Sequence, residues 1–242
     1  MTYTVQIIFS ALSALIALTV HEFSHGFAAY KLGDDTAKSY GRLTLNPIKH
    51  LDPFGAICLV FFRFGWAKPV PINPRNFKKP KRDFAISALA GPLSNLLLAF
   101  FTALAYVALI NAFSGKYFES DLAYNLAVNL TLFVYIFHAV NLGLAIFNLI
   151  PVPPLDGSRL LNVILPSRLY FKVMRYERQI YLGLIAWLFI GDIVKTGLLS
   201  VPFIAQSSVL SGIAGVFSLS DLLGLLIGKI SKLIFSFWNL FF

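Results

Sequence analysis

Long runs of apolar residues, separated by short polar stretches, divide the chain into membrane-length segments. The first run continues to Val20 without a charged side chain. A helix needs roughly 20 such residues to cross a bilayer, and the chain contains several runs of this length. The pattern therefore predicts an all-α polytopic membrane protein with about five transmembrane helices, over residues 3–30, 84–113, 122–150, 179–199 and 201–228.

A shorter apolar run, FGAICLVFF at residues 54–62, lies between the first two predicted spans. It is too short to cross a bilayer, and such runs are typical of buried strands, hairpins or re-entrant segments. The chain that follows, GWAKPVPINPRNFKKPKRD, contains four prolines, so it cannot form a regular helix. We therefore expect a short β or re-entrant segment here, whose edge could pair with an extended peptide.

The composition supports membrane insertion. Hydrophobic residues make up 57% of the chain, and charged residues make up 13%, about half the share in a soluble domain. The first run could be a secretory signal, but it lacks a basic start, and cleavage would remove it from the polar motif that follows. We interpret it as a retained span of a single domain over residues 1–242, with a core over 1–160 and additional C-terminal helices over 179–242.

The basic residues are concentrated in two loops. Of 20 Lys and Arg, eleven lie in residues 31–83 and five in residues 151–178. Because basic loops stay on the cytoplasmic side, we expect a multi-pass protein of the cell membrane with both loops inside and SGKYFESD (114–121) outside. This placement also explains the net charge of +9 without nucleic-acid binding, which we exclude.

The motif HEFSH stands at the inner end of the first predicted span. His21 and His25 are four residues apart, which places both imidazoles on one face of a helix. Two such nitrogens can hold one Zn²⁺, and Glu22 beside them can act as a general base toward water at the metal. Histidines packed in a core are the alternative, but a glutamate buried in a membrane segment is costly without a partner or a task.

A zinc site of this kind needs a third protein ligand. The chain has only four histidines; His50 lies in the basic loop, and His138 precedes Asp156 by roughly 27 Å of helix. We interpret His138 as a polar contact between spans. Asp156, in NLIPVPPLDG, follows the third span on the basic side and arrives at the depth of HEFSH. The alternative for Asp156 is a turn residue before a glycine.

The motifs HEFSH, AGPLSN and NLIPVPPLDG, together with GRLTLNP and GWAKPVPINPRNF, resemble the site-2 protease family of intramembrane zinc metalloproteases, in its compact microbial branch. The resemblance covers roughly residues 15–159 and implies hydrolysis of transmembrane segments of membrane-protein substrates. It implies one catalytic Zn²⁺ held by three residues, a catalytic base and acid, and two amides for the substrate or oxyanion. By this resemblance the zinc ligands are His21, His25 and Asp156, and the catalytic base and acid is Glu22. The two amides are Asn148 and Asn95.

Two other classes of function are compatible with charged residues in a membrane. A transporter or channel would use them as an ion pathway, but the chain lacks repeated halves. A catalytically inactive scaffold would bind transmembrane partners, yet Glu22 is intact. A membrane di-iron oxidase is excluded because it needs more than four histidines. In contrast to larger members of the family, we expect no further span before the one that carries HEFSH, and no inserted PDZ or CBS module is visible in the sequence.

Overall fold

The structure is a computed structural model that describes residues 3–62, 67–118, 120–207 and 218–242, together with Ser211 and Gly215. Over these residues the regular structure is helical, and no β-strand occurs. In chain order the helices are α1 (Tyr3–Lys31), α2 (Thr36–Ser39), α3 (Pro47–His50), α4 (Pro53–Phe62), α5 (Pro80–Phe113), α6 (Asp121–Leu149), α7 (Gly157–Ile164), α8 (Ser167–Arg175), α9 (Glu177–Leu199), α10 (Pro202–Gln206) and α11 (Leu219–Trp238).

Four of the described helices, α1, α5, α6 and α9, are long and apolar enough to cross a membrane. They correspond to the first four predicted spans, so the all-α membrane architecture is confirmed. The fifth predicted span, residues 201–228, does not form one helix. The chain there forms the short helix α10, part of the prediction lies outside the described residues, and α11 starts only at Leu219.

Local signals set the ends of the helices. The side chain of Ser120 caps α6 by accepting a hydrogen bond from the backbone N–H of Ala123, and Ser218 caps α11 in the same way. α5 begins at Pro80, where a missing N–H costs nothing. α6 ends at Leu149, shortly before Pro151, which cannot continue a helix.

The short segment between the first two spans is a helix and not a strand, so the β alternative for residues 54–62 is wrong, whereas a re-entrant segment stays a prediction. The side chain of Asp52 accepts the N–H of Gly55 at 2.8 Å, and Pro53 occupies the first helical position. An Asp cap followed by Pro is a strong helix start. A single antiparallel bridge joins Leu51 to Ala67.

Helices α1, α5 and α6 pack into a bundle through small side chains. Ala17, Ala99, Ala103 and Ala145 are fully buried, and small residues let membrane helices approach closely. Helix α11 covers this bundle by placing Ile234 in the same cluster as Ala99 and Ala103. The bundle packs the C-terminal part of α1 against α5, which is the setting of the polar residues.

Candidate metal centre

His21, His25 and Asp156 form one cluster. The two imidazoles lie one helical turn apart on α1 and are buried, with 4% and 7% of their surface exposed. Their Nε2 atoms are 3.0 Å apart. The Oδ2 atom of Asp156 lies 3.0 Å from Nε2 of His21 and 3.3 Å from Nε2 of His25. The structure therefore brings together the three residues that the sequence suggested as ligands.

A tight turn delivers Asp156 to this cluster. After α6 ends at Leu149, the chain bends back and starts α7 at Gly157. A Cβ atom on Gly157 would lie 2.3 Å from the carbonyl oxygen of Leu149, so only glycine permits this approach. The hydroxyl of Ser158 donates to the carbonyl of Leu155 at 2.6 Å and closes the turn.

The orientation of His21 is fixed by a chain of amides. Asn141 donates from Nδ2 to the carbonyl of Phe137, and its Oδ1 accepts a hydrogen bond from Nδ2 of Asn95 at 2.9 Å. Asn95 also donates to the carbonyl of Ala17. Its Oδ1 must therefore face His21 Nδ1, 2.6 Å away. Because an amide oxygen can only accept, Nδ1 of His21 carries a proton, and the neutral imidazole then presents its lone pair at Nε2.

The same argument applies to His25. Its Nδ1 lies 2.7 Å from the carbonyl oxygen of Ser87, which can only accept, so Nδ1–H donates. A second lone pair then points from Nε2 toward the cluster. The side chain of Asp156, whose Oδ2 atom faces both nitrogens, is an acid that in its ordinary range is ionised at neutral pH. The third member is therefore a carboxylate.

With both imidazoles neutral, three acceptor atoms converge here, and a metal cation between them would offset their mutual repulsion. Ligands about 2.0–2.1 Å from a tetrahedral zinc ion lie about 3.3 Å from one another, and the observed separations are 3.0, 3.0 and 3.3 Å. Two imidazole nitrogens and one carboxylate oxygen are also a donor set that suits Zn²⁺. The residues present fit a zinc ion with three protein ligands.

Glycine at position 91 makes room for the two imidazoles. A Cβ atom there would lie 2.4 Å from Nε2 of His25 and 2.7 Å from Cε1 of His21. Gly91 belongs to AGPLSN, the same motif that contributes Asn95. The motif thus contributes to the metal centre in two ways. Gly91 leaves space for the imidazoles, and the amide of Asn95, one turn later, contacts His21.

Gly91→Ala should lower the zinc affinity, measured by competition with a chelator, by more than about tenfold, because loss of ligand support typically costs 10- to 100-fold in affinity. Alanine normally stabilises a helix interior by about 1 kcal/mol relative to glycine, so general helix damage would not explain the loss. Gly183→Ala, where a Cβ meets nothing within 4 Å, is the control. Unchanged zinc affinity in Gly91→Ala would mean that the imidazoles have more room than the structure gives them.

Glu22 lies beside the cluster and contacts an extended stretch of chain. Its Oε2 accepts the backbone N–H of Val70 at 2.8 Å. Val70 is buried against α1, where a Cβ on Gly26 would lie 3.1 Å from its Cγ1 atom. The backbone of Val70 therefore holds Glu22, which follows His21 in the chain and is not among the three residues of the cluster.

A buried carboxylate anchors this extended stretch. Asp34 accepts hydrogen bonds from the N–H of Asn73 and the side chain of Asn76, both at 2.7 Å, and from the backbone and hydroxyl of Thr36. Burial raises the pKa of the Asp34 carboxyl group, but these hydrogen bonds outweigh it and lower the pKa below its usual range. The stretch that carries Val70 is thus fixed to the end of α1.

Asn148 and the two remaining histidines make contacts with other groups. Asn148 is in the last turn of α6 and donates from Nδ2 to the carbonyl of Leu144 at 3.0 Å. His138 is buried between helices, 2.8 Å from both the Ala99 carbonyl and the Ser231 hydroxyl, which agrees with its interpretation as a contact between helices. His50 contacts the Thr44 carbonyl.

Sequence reasoning missed several supporting residues. Asn141 orients Asn95, the Ser87 carbonyl orients His25, and the Val70 N–H holds Glu22. A buried amide such as Asn141 in an apolar span is a detectable signal, because polar side chains in membrane helices are costly. The backbone groups of Ser87 and Val70 carry no signal in the sequence.

Comparison with known proteins places this geometry in a family. The model of Peptidase family M50 matches residues 9–190, a range that contains all the residues of the cluster. The chain belongs to peptidase family M50. Its resemblance to the site-2 proteases is thereby confirmed. No solved structure matches the chain.

Curated relatives of this M50 peptidase carry zinc metalloprotease names. It is 43% identical over 166 residues to "Putative zinc metalloprotease YwhC" of Bacillus subtilis, which covers 69% of this chain and 73% of the relative. It is 31% identical over 150 residues to "Putative zinc metalloprotease Rip2" of Mycolicibacterium smegmatis, of which it spans about half, 52%. Family and relatives confirm the prediction of Zn²⁺ as the cofactor.

Proposed function

We propose that this M50 peptidase is an intramembrane zinc metalloendopeptidase that hydrolyses peptide bonds in or near transmembrane segments of membrane-protein substrates. The observation that carries the proposal is the convergence of His21, His25 and Asp156 beside Glu22 at one end of a membrane-length helix. The reaction would serve regulated intramembrane proteolysis, with the bilayer and a transmembrane protein as partners.

Glu22 acts as base and then as acid. Zn²⁺, when bound, supplies a Lewis acid that polarises the scissile carbonyl group and makes water more acidic. Glu22 takes a proton from the attacking water and returns it to the leaving amine. The N–H of Val70 donates to one oxygen of the Glu22 carboxylate, so the carboxylate is preorganised for proton transfer.

Two amides have different parts in this proposal. Asn148, in the last turn of α6, binds the substrate backbone or the developing oxyanion, a contact typically worth about 3–4 kcal/mol. Asn95 was expected in the same pocket, but its hydrogen bonds to His21, Ala17 and Asn141 favour a different role. We assign it the orientation of His21, which fixes the tautomer that a metal ligand needs.

The irregular chain around Asp156 supports water access. Pro151, Pro153 and Pro154 interrupt regular structure directly after α6. Backbone of this kind is tolerated at membrane depth only where it is buried in protein or lines a wet cavity. A site for hydrolysis needs such a cavity, and a substrate helix must unwind locally to reach it.

The function is tested by co-expression with candidate single-span proteins in cells. The wild type should release a shortened fragment of a substrate, and Glu22→Gln should leave the same protein intact. His138→Ala, which alters a distant contact between helices, serves as the control and should still cleave. Metal-independent ion flux through the reconstituted protein, without cleavage of any candidate, would favour a transporter instead.

We further propose that α11 is a fifth membrane segment. Its 20 residues reach about 30 Å, enough for the hydrocarbon core. It packs along the spanning helices, with Ser231 against His138 and the Trp238 Nε1–H donating to the carbonyl of Phe100 at 2.9 Å. Composition alone does not identify α11 as a membrane helix, because Asp221, Lys229 and Lys232 lower its hydropathy.

The metal centre is proposed to face the cytoplasm. The loops with eleven and five basic residues flank the cluster, whereas the loop 114–121 has only Lys116. On a Cys58→Ala background, a cysteine at Lys79 should resist a membrane-impermeant reagent in intact cells, and a cysteine at Ser120 should react. Both native side chains are exposed. If the cysteine at position 79 alone were labelled, the orientation would be opposite to the one proposed, and the assignment of the zinc ligands would be unaffected.

A further inference from the structure

The connection between α6 and α9 carries an unusual exposed surface. Arg168, Lys172 and Arg175 lie on one face of α8 at spacings of four and three residues, and all three are exposed. The opposite side of α8 packs inward through Tyr170. The exposed side of this helix is therefore strongly cationic.

Apolar side chains border this cationic face. Leu169 and Phe171, on either side of it, are 51% and 66% exposed, and Ile164 at the end of α7 is 73% exposed. A helix that faced only water would gain nothing from this arrangement. Basic residues flanked by exposed aliphatic and aromatic side chains are typical of helices that lie in the membrane interface.

The first turn of α5 extends the same patch. The Nζ atom of Lys81 donates to the Ser167 hydroxyl at 2.7 Å and joins the start of α5 to the start of α8. Lys78 and Lys79 are exposed immediately before this turn. The nearby acidic groups are already neutralised: Asp83 pairs with Arg82 at 2.7 Å, and Glu177 pairs with Arg159 at 3.2 Å. The patch thus retains a net positive charge.

The fold keeps this patch at the membrane surface. α8 lies between the end of α6 and the beginning of α9, and both of these helices are long enough to span the bilayer. Helices α7 and α8 therefore lie where the spanning helices leave the hydrocarbon core. At that depth a cationic face meets the headgroup layer, whose anionic lipids attract Lys and Arg.

We propose that the exposed face of α8 and the adjoining start of α5 bind anionic phospholipid headgroups, and that this contact anchors Asp156. α7 begins at the residue after Asp156. Arg159 in α7 contacts the Sδ atom of Met174 in α8 at 3.9 Å and pairs with Glu177 in α9. A headgroup layer that immobilises α8 thereby immobilises α7 and the carboxylate ahead of it. The effect on the metal centre rests on the proposed function; the lipid contact itself does not.

The lipid contact is tested with an environment-sensitive fluorophore at Phe171→Cys on the Cys58→Ala background, in vesicles of phosphatidylcholine with or without one third phosphatidylglycerol. Phosphatidylglycerol should increase quenching by lipid-attached bromine at least about twofold, and high salt should abolish the increase by screening. The increase should vanish in Arg168→Gln/Lys172→Gln/Arg175→Gln and persist in the charge-retaining Arg168→Lys/Lys172→Arg/Arg175→Lys.

Three outcomes would overturn the lipid contact. One is an equal response in the glutamine variant, and another is insensitivity of the wild-type response to salt. The third is an equal response to inorganic phosphate added to phosphatidylcholine vesicles, which would assign the patch to free phosphate. If the triple glutamine variant does not fold, Lys172→Gln alone should lose part of the response, and the salt titration of the wild type still decides.

The anchoring of Asp156 is tested by zinc loss to a chelator. In the wild type, phosphatidylglycerol should slow this loss at least about threefold; in the glutamine variant it should have no effect. A lipid response of the fluorophore without any change in zinc loss would overturn the anchoring. Failure of the proposed function would instead appear as absence of cleavage in every lipid, with the lipid response of the fluorophore unchanged.

Discussion

Replacing Glu22 by glutamine should leave the zinc content unchanged and lower the cleavage rate by about 10²- to 10⁴-fold, the usual contribution of a general base. The zinc content should hold because the three converging ligand atoms belong to His21, His25 and Asp156. Glutamine has the shape of glutamate, and its oxygen can still accept the N–H of Val70. What it cannot do is take a proton from water.

The measurement pairs elemental analysis of the purified variant with the rate of cleavage of one substrate in the same membranes. Ser24→Ala is the matched control, because Ser24 lies in the same turns of α1 and its hydroxyl donates to the Val20 carbonyl. It should keep both zinc and activity. Unchanged zinc in Glu22→Gln with more than about a tenth of the wild-type rate would show that Glu22 is not the base.

The sequence predicts the metal ligands of this site better than the residues that orient those ligands. The spacing of His21 and His25 on a helix fixes their common face, and the need for a third ligand, combined with charge-based topology, points to Asp156. The structure brings these three together. The first inference rests on a local sequence pattern, and the second rests on the distribution of basic residues along the whole chain. Neither depends on how the helices pack.

The supporting contacts depend on how helices align. Asn95 meets His21 across 74 positions of the chain, and the contact exists only because α1 and α5 pack in one register. The same is true of Gly91, whose missing side chain matters only because two imidazoles cross it. Nothing in the sequence around position 95 separates an amide that binds substrate from one that orients a ligand.

For the fold as well, the sequence predicts some elements correctly and others not. The first four spans follow from the length of apolar runs, because the bilayer imposes that length. The apolar character of residues 54–62 is compatible with a β or re-entrant segment, but it does not separate a strand from a helix. The Asp52–Pro53 cap decides for a helix. The fifth span is predicted over residues 201–228 because apolar residues dominate that stretch, whereas Pro202 and Ser218 start separate helices.

Asp156→Ala should lower the bound zinc at least as much as His21→Ala or His25→Ala, by more than about 100-fold in affinity, since even outer partners of metal ligands are worth 10- to 100-fold. The change removes one of three ligand atoms and also the only negative charge among them. The two remaining Nε2 atoms, 3.0 Å apart, would have to hold a divalent cation without a counter-charge.

His138→Ala is the decisive comparison for this assignment. His138 is the other histidine buried in a membrane helix, and its ring contacts the Ala99 carbonyl and the Ser231 hydroxyl. Its removal should destabilise the packing of α11 and leave the zinc content unchanged. Elemental analysis of the four alanine variants, purified in parallel, separates the possibilities. If zinc were lost with His138 and kept without Asp156, the third ligand would be the histidine, and the convergence of Asp156 on the two imidazoles would be an ion pair only.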